Sequence, residues 1–340
     1  MRLAIHHRPG SFSEEWIKYC KFNLIPYKIV NCYESNIIQM LEDCDGLLWH
    51  HHHHNYKDVL FAKQLLYSLQ LMGKITFPDF NTNWHFDDKI GQKYLLEAIG
   101  AATIPTHIFY DKKSATNWVN NTNFPKVFKL RGGSGSRNVS LIKSKSEALK
   151  KINKAFGKGF PQFDRVGNLI DRYKKYKSGQ DSFVGLLRGV ARLFYQTEYS
   201  KMLSREKGYI YFQDFMPENT YDIRLIVIKD KAYGMKRLNR KGDFRASGSS
   251  MFVYDDIPKE VLTIAFEVSY KLKLQSVAFD FVFNEKGDPV IVEMSYVFGT
   301  TGSNKCKGYW TPDGIYHEGN ITPQVWIIEN LISEINSVYR

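Results

Sequence analysis

The sequence predicts an α/β protein, in which an N-terminal parallel-sheet α/β domain is followed by a larger two-lobed domain. Three observations lead to this prediction. Strand-like and helix-like patterns alternate through residues 1–80, a glycine-rich loop joins two strand-like segments within 124–142, and two acidic strand-like segments follow within 277–294. Repeated strand–helix alternation is typical of a parallel sheet covered by helices. The 340 residues leave room for two or three packed subdomains.

Each element of residues 1–80 is predicted from its own pattern. Short apolar runs predict strands at 3–5, 26–30 and 45–50. A helix is expected to begin at Ser13, with the serine as its cap, and two more are expected at 36–41 and 56–71. Beyond this domain we expect a first lobe at 81–160, a basic helical insertion at 161–208 and a second lobe at 209–340.

The composition is that of a folded globular chain. Hydrophobic residues make up 43% and aromatic residues 15% of the sequence. No apolar run approaches the roughly 20 residues of a membrane span, and the polar start does not read as a signal peptide. The four cysteines show no C-x-x-C spacing, which favours reduced thiols. We therefore expect a cytoplasmic protein.

The chain is basic, with a formal net charge of +12, and half of this excess lies in residues 165–207. Ten Lys or Arg residues stand against four acids in that segment. It can be a solvated helical face, a lid over an anionic substrate, or a docking surface for a membrane or a nucleic acid. Base-reading motifs are absent and the charge is not a dense run, so we favour a lid or a partner surface and expect no nucleic acid partner.

Two distant stretches combine phosphate-binding and metal-binding chemistry. Lys129 ends a strand just before a glycine–serine loop at 132–137, which offers a cation and close backbone N–H groups to phosphate oxygens. Asp280 and Glu293 lie in neighbouring apolar strands and offer the oxygen ligands that Mg²⁺ prefers. A Walker loop leads into a helix, and a dinucleotide fingerprint has another spacing, so both are excluded.

The order of these motifs resembles the ATP-grasp superfamily, and most closely its carboxylate–amine ligases of the ribosomal-protein glutamate ligase and glutathione synthetase type. The resemblance covers residues 80–300 apart from the insertion at 161–208. It implies a two-lobed ATP-grasp domain with a helical insertion, and ATP and Mg²⁺ as cofactors.

A nucleotide site follows from the resemblance. Lys89 and Lys129 would contact phosphates, the loop would cover them, a hinge strand would read adenine, and Glu218 or Asn219 would contact the ribose. The remaining residues implied are the loop residues Gly132, Gly133, Ser134, Gly135 and Ser136 and the hinge residues Gln213, Asp214, Phe215 and Met216.

The reacting groups are implied in the same way. Arg224, Lys236 and Arg237 would face the transferred phosphate or the activated carboxylate. Asp222 and Arg245 would line the substrate site, and Asp280, Glu293 and Ser295 would bind metal. The superfamily usually has asparagine at the position of Ser295, so the second metal is expected to be weaker or completed by water. A structural ion pair is the alternative role for Asp280. For Asp222 and Arg224, the alternative is that they simply pair with each other.

Two histidine clusters follow predicted strands of the parallel sheet. His6 and His7 follow the first strand, and the run 50–54, with His50 and His52, follows the third. Ligands of open parallel sheets bind beyond the carboxyl ends of the strands, so these histidines are expected to line a substrate pocket. Surface metal scavenging is the alternative.

The function implied by the resemblance is ATP- and Mg²⁺-dependent carboxylate–amine ligation through an acylphosphate. The substrates would be small and anionic, with an amino acid, a peptide or an acidic sugar of cell-surface polysaccharide synthesis as acceptor. A homodimer is compatible with this function. One rival is an ATP-binding regulatory protein with a catalytically weak clamp, which Ser295 favours. The other is a charge-driven nucleic-acid-binding protein, which leaves Asp280 and Glu293 unexplained.

Overall fold

The computed structural model describes residues 1–133, 138–161, 165–177, 182–194, 202, 204–240, 243–300, 302 and 305–338. The chain forms two compact units. The first comprises Met1–Phe86, Gly91–Thr103 and Met216–Arg340, and the second comprises Asp87–Ile90 and Ile104–Phe215.

The first unit begins with the predicted parallel sheet. Its four strands lie in the order β2–β1–β3–β4, and all of its pairings are parallel. The strands are β1 (Leu3–His6), β2 (Tyr27–Val30), β3 (Gly46–Leu48) and β4 (Ile75–Phe77). The helices between and after them are α1 (Ser13–Phe22), α2 (Ile37–Met40), α3 (Tyr56–Leu71) and α4 (Phe80–Asn83). The predicted fold class is confirmed for this region.

Local side-chain chemistry sets the starts of two helices here. The Asn55 side chain accepts a hydrogen bond from the Lys57 N–H at 3.1 Å, so α3 begins where the sequence predicts it. The helix α1 also begins as predicted, but the expected cap was wrong. The Ser13 hydroxyl bonds the Arg8 backbone N–H at 3.1 Å and carbonyl at 3.2 Å, which fixes the loop after β1.

A seven-stranded sheet completes the first unit. Its order is β13–β12–β9–β10–β14–β15, and β11 also pairs with β10. The strands are β9 (Tyr221–Ile228), β10 (Lys231–Leu238), β11 (Phe252–Val253), β12 (Ser276–Phe283), β13 (Pro289–Ser295), β14 (Gly308–Trp310) and β15 (Tyr316–Glu318). The helices α10 (Lys259–Lys271) and α11 (Pro323–Val338) pack against this sheet. The later turns of α5 (Lys89–Ala98) also pack against it.

Two apolar cores cover the two faces of this sheet. On one face, Phe279 and Ile223 pack beneath Ala265 of α10. On the other, Ile226 packs in one core with Leu3 of the parallel sheet and with α11. Because the two sheets share this core, residues 1–80 lie in the same compact unit as residues 216–340.

The second unit contains a four-stranded antiparallel sheet in the order β5–β8–β6–β7. The strands are β5 (Thr106–Phe109), β6 (Lys126–Lys129), β7 (Ser140–Ile142) and β8 (Ile210–Asp214). The helices are α6 (Lys112–Asn121), α7 (Lys145–Ala155), α8 (Arg165–Lys177) and α9 (Phe183–Phe194). The predicted basic insertion contains α8 and α9. In the described part of the chain, no helix is long and apolar enough to cross a bilayer.

Strand β3 packs closely against β4 and α11 at Gly46. A β-carbon here would lie 2.8 Å from the Ile75 carbonyl oxygen and 2.9 Å from Ile335 Cδ1. We expect Gly46→Ala to lower the free energy of unfolding by about 1–3 kcal/mol, because the backbone of β4 cannot move aside cheaply.

The measurement is the urea midpoint of unfolding. Gly299→Ala is the matched control, because a β-carbon at Gly299 would meet no atom within 4 Å. Equal midpoints for the two variants would contradict the packing argument.

Candidate active site

Four charged side chains of the first unit form one ion-pair cluster on the seven-stranded sheet. Arg224 binds Asp280 through two hydrogen bonds of 2.8 and 2.9 Å. Arg237 binds Asp222 through two of 2.6 and 2.5 Å, and also contacts Asp280 at 2.8 Å. Asp280 thus lies between two guanidinium groups. The predicted alternative, a pairing of Asp222 with Arg224, is replaced by pairs across strands.

The strand register brings these side chains together. Asp280 lies opposite Arg224 on β9, and Asp222 lies opposite Arg237 on β10. On the other side of β12, Asp280 lies opposite Glu293 of β13. A β-bulge follows directly, between Asp280 and Phe281. Cross-strand partners share a face and lie about 4.5–5.5 Å apart at their β-carbons, so both predicted metal carboxylates belong to one face of the sheet.

Burial and charge act in opposite directions on Asp280. Burial would raise the pKa of its carboxyl group, but the charges of Arg224 and Arg237 outweigh burial and hold that pKa below its usual value. The pKa of Arg237 is raised, because Asp280 and Asp222 outweigh the effect of burial, which lowers it. Burial raises the pKa of Asp222, against the opposing charge of Arg237. The cluster thus combines two guanidinium groups with two carboxyl groups.

Ser295 shares the face of Glu293, two residues farther along β13. Its hydroxyl donates to the Val297 carbonyl at 2.8 Å and accepts from the Val297 N–H at 3.2 Å. Asp280 and Glu293 are the hard oxygen donors that fit Mg²⁺, whereas the Ser295 oxygen is already engaged in a tight turn.

Two other predicted residues of this unit contact neighbouring acids. Lys236 pairs with Asp255 at 2.8 Å. It lies opposite Ile223 on β9, so strand alternation places it on the face away from Arg237. Arg245 binds Asp243 through contacts of 2.6–3.1 Å. The structure therefore does not bring Lys236 into the cluster.

In the second unit, the start of the glycine loop is held by Asp87, which precedes α5, and by Lys89, the first residue of that helix. The Asp87 carboxylate accepts the Gly133 N–H at 2.7 Å, and the Lys89 ammonium donates to the Gly133 carbonyl at 2.8 Å. Gly133 has φ +114°, a conformation that favours glycine. A β-carbon on Gly132 would lie 3.0 Å from the Asp87 carboxylate. Ser134, Gly135 and Ser136 lie outside the described residues.

Lys129 and the predicted hinge lie on adjacent strands of this unit. Lys129 is buried at the end of β6, opposite Tyr211 of β8. Gln213 is buried and donates to the Thr106 hydroxyl at 3.2 Å. Asp214 binds the Lys126 ammonium at 2.6 Å. Both lysines that the sequence assigns to phosphate, Lys89 and Lys129, are thus buried in this unit.

Phe215 directly follows β8 and ends the second unit, and Met216 begins the last segment of the first. Asn219 has a structural role in that segment. Its amide accepts the Phe283 N–H at 2.8 Å and donates to the Phe283 carbonyl at 2.9 Å. These contacts hold the loop against the end of β12.

The predicted histidines lie at the carboxyl edge of the parallel sheet. His6 is buried at the end of β1, and its Nδ1 accepts the Cys32 N–H at 3.0 Å. His50 is buried after β3, where its ring stacks on Phe12 with centroids 3.9 Å apart. His7 is exposed, and its Nδ1 lies 3.1 Å from the Ser13 hydroxyl.

Burial lowers the pKa of His6 and of His52 to about 4, and that of His50 to about 3, with smaller contributions from neighbouring positive groups. These imidazoles are therefore neutral near pH 7. They offer uncharged hydrogen-bonding nitrogens.

The end of the histidine run forms a cluster of its own. The ligand nitrogens of His52, His53 and His54 all lie within 4.8 Å of one another, and His53 Nε2 is 3.1 Å from His54 Nε2. Neutral imidazoles at this spacing can bind a transition-metal ion. In the structure, His52 Nδ1 accepts the His54 N–H at 3.2 Å.

Sequence reasoning missed three side chains that hydrogen-bond the backbone of this edge or of β13. Tyr296, one residue beyond β13, donates its hydroxyl hydrogen to the His51 carbonyl and packs against the His51 ring at 4.9 Å. Gln92 of α5 hydrogen-bonds the Met294 carbonyl at 2.8 Å. Asp58 accepts the His52 N–H at 2.7 Å. An acid in the first turn of the predicted helix α3 was the available signal, but periodicity alone does not show its partner.

Comparison with known proteins identifies the fold. Residues 191–310 match the family model of the RimK-like ATP-grasp domain. No curated protein sequence matches the chain. Among solved structures, D-alanine–D-alanine ligase from Bacillus anthracis is similar with a TM-score of 0.58 and 13% identity over 99% of each chain. The same enzyme has also been solved with ATP bound.

Two further solved structures show the same likeness. The D-cycloserine synthetase DcsG has a TM-score of 0.57 and 13% identity over 98% of this chain and 100% of its own. A RimK domain ATP-grasp protein from Sphaerobacter thermophilus has a TM-score of 0.53 and 14% identity over 86% and 90%. The predicted ATP-grasp fold is confirmed.

The ion-pair cluster predicts that two neighbouring basic residues differ greatly in their contribution to the free energy of unfolding. Arg237→Gln leaves Asp222 without its guanidinium and Asp280 with only one, so we expect a loss of about 3–5 kcal/mol in the free energy of unfolding. Lys236→Gln removes a half-exposed pair and should cost less than about 1 kcal/mol. Chemical denaturation of both variants measures the difference, and similar losses would rule out the buried cluster as a stabilising unit.

The buried histidines predict a loss of stability in acid. The folded-state pKa of His6 is about 4, below its ordinary value of 6.5. The unfolded chain therefore takes up protons first as the pH falls from 6.5 towards 4, and stability is lost in that window. We expect His6→Asn, whose amide can accept the Cys32 N–H, to reduce this loss by roughly 3 kcal/mol.

The measurement is the free energy of unfolding as a function of pH. Gln39→Asn, which changes an exposed side chain without a titratable group, is the control and should leave the pH slope unchanged. An unchanged slope in His6→Asn would refute the assignment.

Proposed function

We propose that this ATP-grasp protein is an ATP- and Mg²⁺-dependent carboxylate–amine ligase. A substrate carboxylate attacks the γ-phosphorus of ATP, the bond to the β,γ-bridging oxygen breaks, and ADP leaves. An amine then attacks the acylphosphate, loses its proton, and displaces inorganic phosphate to form an amide. Each turnover therefore converts one ATP to ADP and phosphate.

One observation carries the proposal. Asp280 and Glu293 are direct cross-strand partners, and Arg224 and Arg237 contact Asp280 on the same face. Two carboxylates for a hard cation beside two guanidiniums for phosphate oxygens form the charge arrangement that phosphoryl transfer needs. When bound, Mg²⁺ would supply the charge that neutralises the phosphate oxygens of ATP. The two arginines would bind the transferred phosphoryl group or the carboxylate that attacks it.

The second unit supplies groups suited to a nucleotide. Lys89 and Lys129 are cations for phosphate oxygens, and the loop that begins at Gly132 and Gly133 offers backbone N–H groups. The β8 strand, with Gln213 and Asp214, and Phe215 and Met216 after it, would present backbone polar groups to adenine. This assignment follows from the matching order of residues in the ATP-grasp fold.

The histidine edge supports a substrate pocket beside the reacting groups. Tyr296 connects the backbone after His50 to the end of β13, two strand positions beyond Glu293. Neutral His6, His50 and His52 can hydrogen-bond a polar substrate without adding charge. We propose that a small anionic carboxylate binds here, with an amino acid, a peptide or an acidic sugar of cell-surface polysaccharide synthesis as the second substrate.

A second candidate function is ATP binding with little catalysis, in a regulatory or interaction protein. Ser295 favours it, because its hydroxyl is engaged by Val297 where an amide ligand is usual in the superfamily. This candidate predicts tight nucleotide binding without turnover.

The test is product release by the purified protein with Mg²⁺-ATP and pooled carboxylates, with and without pooled amines. We expect ADP and free phosphate only with a particular acid and amine. Lys129→Met and Glu293→Gln should lower turnover by about 100-fold or more, because each removes charge that stabilises the transition state. Lys143→Met and Glu285→Gln alter exposed residues and should leave it unchanged.

Other products would contradict the ligase. AMP and pyrophosphate would exclude an acylphosphate formed by γ-phosphoryl transfer. A stable phosphoester without free phosphate would indicate a kinase. ATP binding with no turnover in the presence of any pool of carboxylates and amines would support the regulatory candidate.

A further inference from the structure

The helices α8 and α9 of the second unit expose a continuous apolar surface. Among the side chains that the structure describes in these helices, α9 presents four large apolar ones to solvent, and α8 presents three. The exposed fractions are 57% for Phe183, 55% for Val184, 50% for Leu187, 41% for Val190, 51% for Ile170, 55% for Tyr173 and 42% for Tyr176. The Tyr176 and Phe183 rings lie 6.1 Å apart and join the two helices' surfaces. We call these seven side chains the hairpin patch.

The packing of the two helices explains why this face is uncovered. Gly185 and Gly189 lie one turn apart on α9, on the face that contacts α8. A β-carbon on Gly189 would lie 2.8 Å from Arg172 Cδ and 3.2 Å from Leu169 Cδ1, and Arg172 donates to the Gly185 carbonyl at 2.8 Å. The glycines thus use one face of α9 for close helix packing. Phe183, Leu187 and Val190 repeat at helical spacing on another face and remain exposed.

The pair of helices α8 and α9, which we call the hairpin, is strongly basic as well as apolar. Residues 165–194 contain seven Lys or Arg residues and two acids. Lys177 and Arg188 are exposed beside the patch. Exposed apolar patches of this kind mark interaction sites on folded proteins. A basic amphipathic helix with aromatic and aliphatic side chains on one face is the chemistry that binds the interface of an anionic bilayer.

The combination of positive charge and exposed apolar side chains distinguishes between the partners that could cover this patch. Nucleic acid would take up the positive charge but would leave Leu187 and Val190 in water. A second copy of the chain would cover the apolar side chains but would bring an equally basic hairpin against this one. An anionic lipid surface satisfies both features, because its headgroups attract the basic residues and its acyl boundary buries the apolar ones.

We propose that the hairpin patch docks this protein on anionic membrane surfaces, with α8 and α9 lying in the plane of the interface. Neither helix spans the bilayer. This role goes beyond the proposed ligase activity and does not depend on it.

The test is co-sedimentation of the full chain with vesicles of phosphatidylcholine alone and with vesicles in which phosphatidylglycerol replaces part of it. We expect binding to the anionic vesicles only, and weaker binding as salt is raised. Leu187→Asp and, separately, Val184→Asp should each lower the partition coefficient on the order of tenfold. Arg188→Gln should lower it by a smaller factor, about fivefold or less.

Leu60→Asp is the matched control. Leu60 is 70% exposed on helix α3 of the first unit and should leave vesicle binding unchanged. Far-ultraviolet circular dichroism and the urea midpoint show whether each variant is folded, and two independent patch variants keep the test decisive if one is not.

Three outcomes would overturn the proposal. They are no binding to anionic vesicles, equal binding to both vesicle types, and equal losses for Leu60→Asp and the patch variants. Self-association in the absence of lipid, abolished by Leu187→Asp while vesicles bind nothing, would assign the patch to a second copy of the chain instead.

Discussion

The pairing of Asp280 with Arg224 and Arg237 is the constraint on which the candidate site depends. Four charged groups on three adjacent strands balance one another, and each of them would be costly to bury without its partners. The register of β9, β10 and β12 therefore has little freedom. A slip of one residue would turn Asp280 into the apolar core beneath α10, where Phe279 now packs. The sheet's pairing and the placement of these charged side chains are set by the same interactions.

The same pairing bears on how a cation would bind. The arginines already neutralise Asp280, so a divalent ion at this carboxylate would compete with Arg224 for the same two oxygens. Glu293 lies opposite Asp280 and adds further carboxylate oxygens to that face. An ion that takes over the charge of Asp280 would leave guanidinium hydrogens to bind phosphate oxygens. The cluster is in this sense a resting arrangement of the groups that the proposed reaction needs.

Sequence patterns predicted the elements well and the contacts poorly. The apolar runs and periodicity predicted α3, β12 and β13, and an acid within an apolar strand identified Asp280 as a special residue. Partners across strands depend on register, which a single sequence does not contain. Arg237 therefore pairs with Asp222 across β9 and β10, and its neighbour Lys236 faces the other way. Asn219 was expected at a ribose, but its amide is used by the Phe283 backbone. Hydrogen bonds of this kind, between a side-chain amide and backbone groups, produce no periodic pattern in the sequence.

The parallel sheet and the seven-stranded sheet are joined by one core, which positions the histidine edge. The topological rule for open sheets predicted that His6 and His50 lie at one edge, but it could not say what faces them. The shared core of Leu3, Ile226 and α11 brings that edge to the end of β13, where Tyr296 bonds the His51 carbonyl. All these residues belong to the first unit. The candidate substrate-binding histidines and the candidate metal ligands are thus positioned by one set of buried side chains.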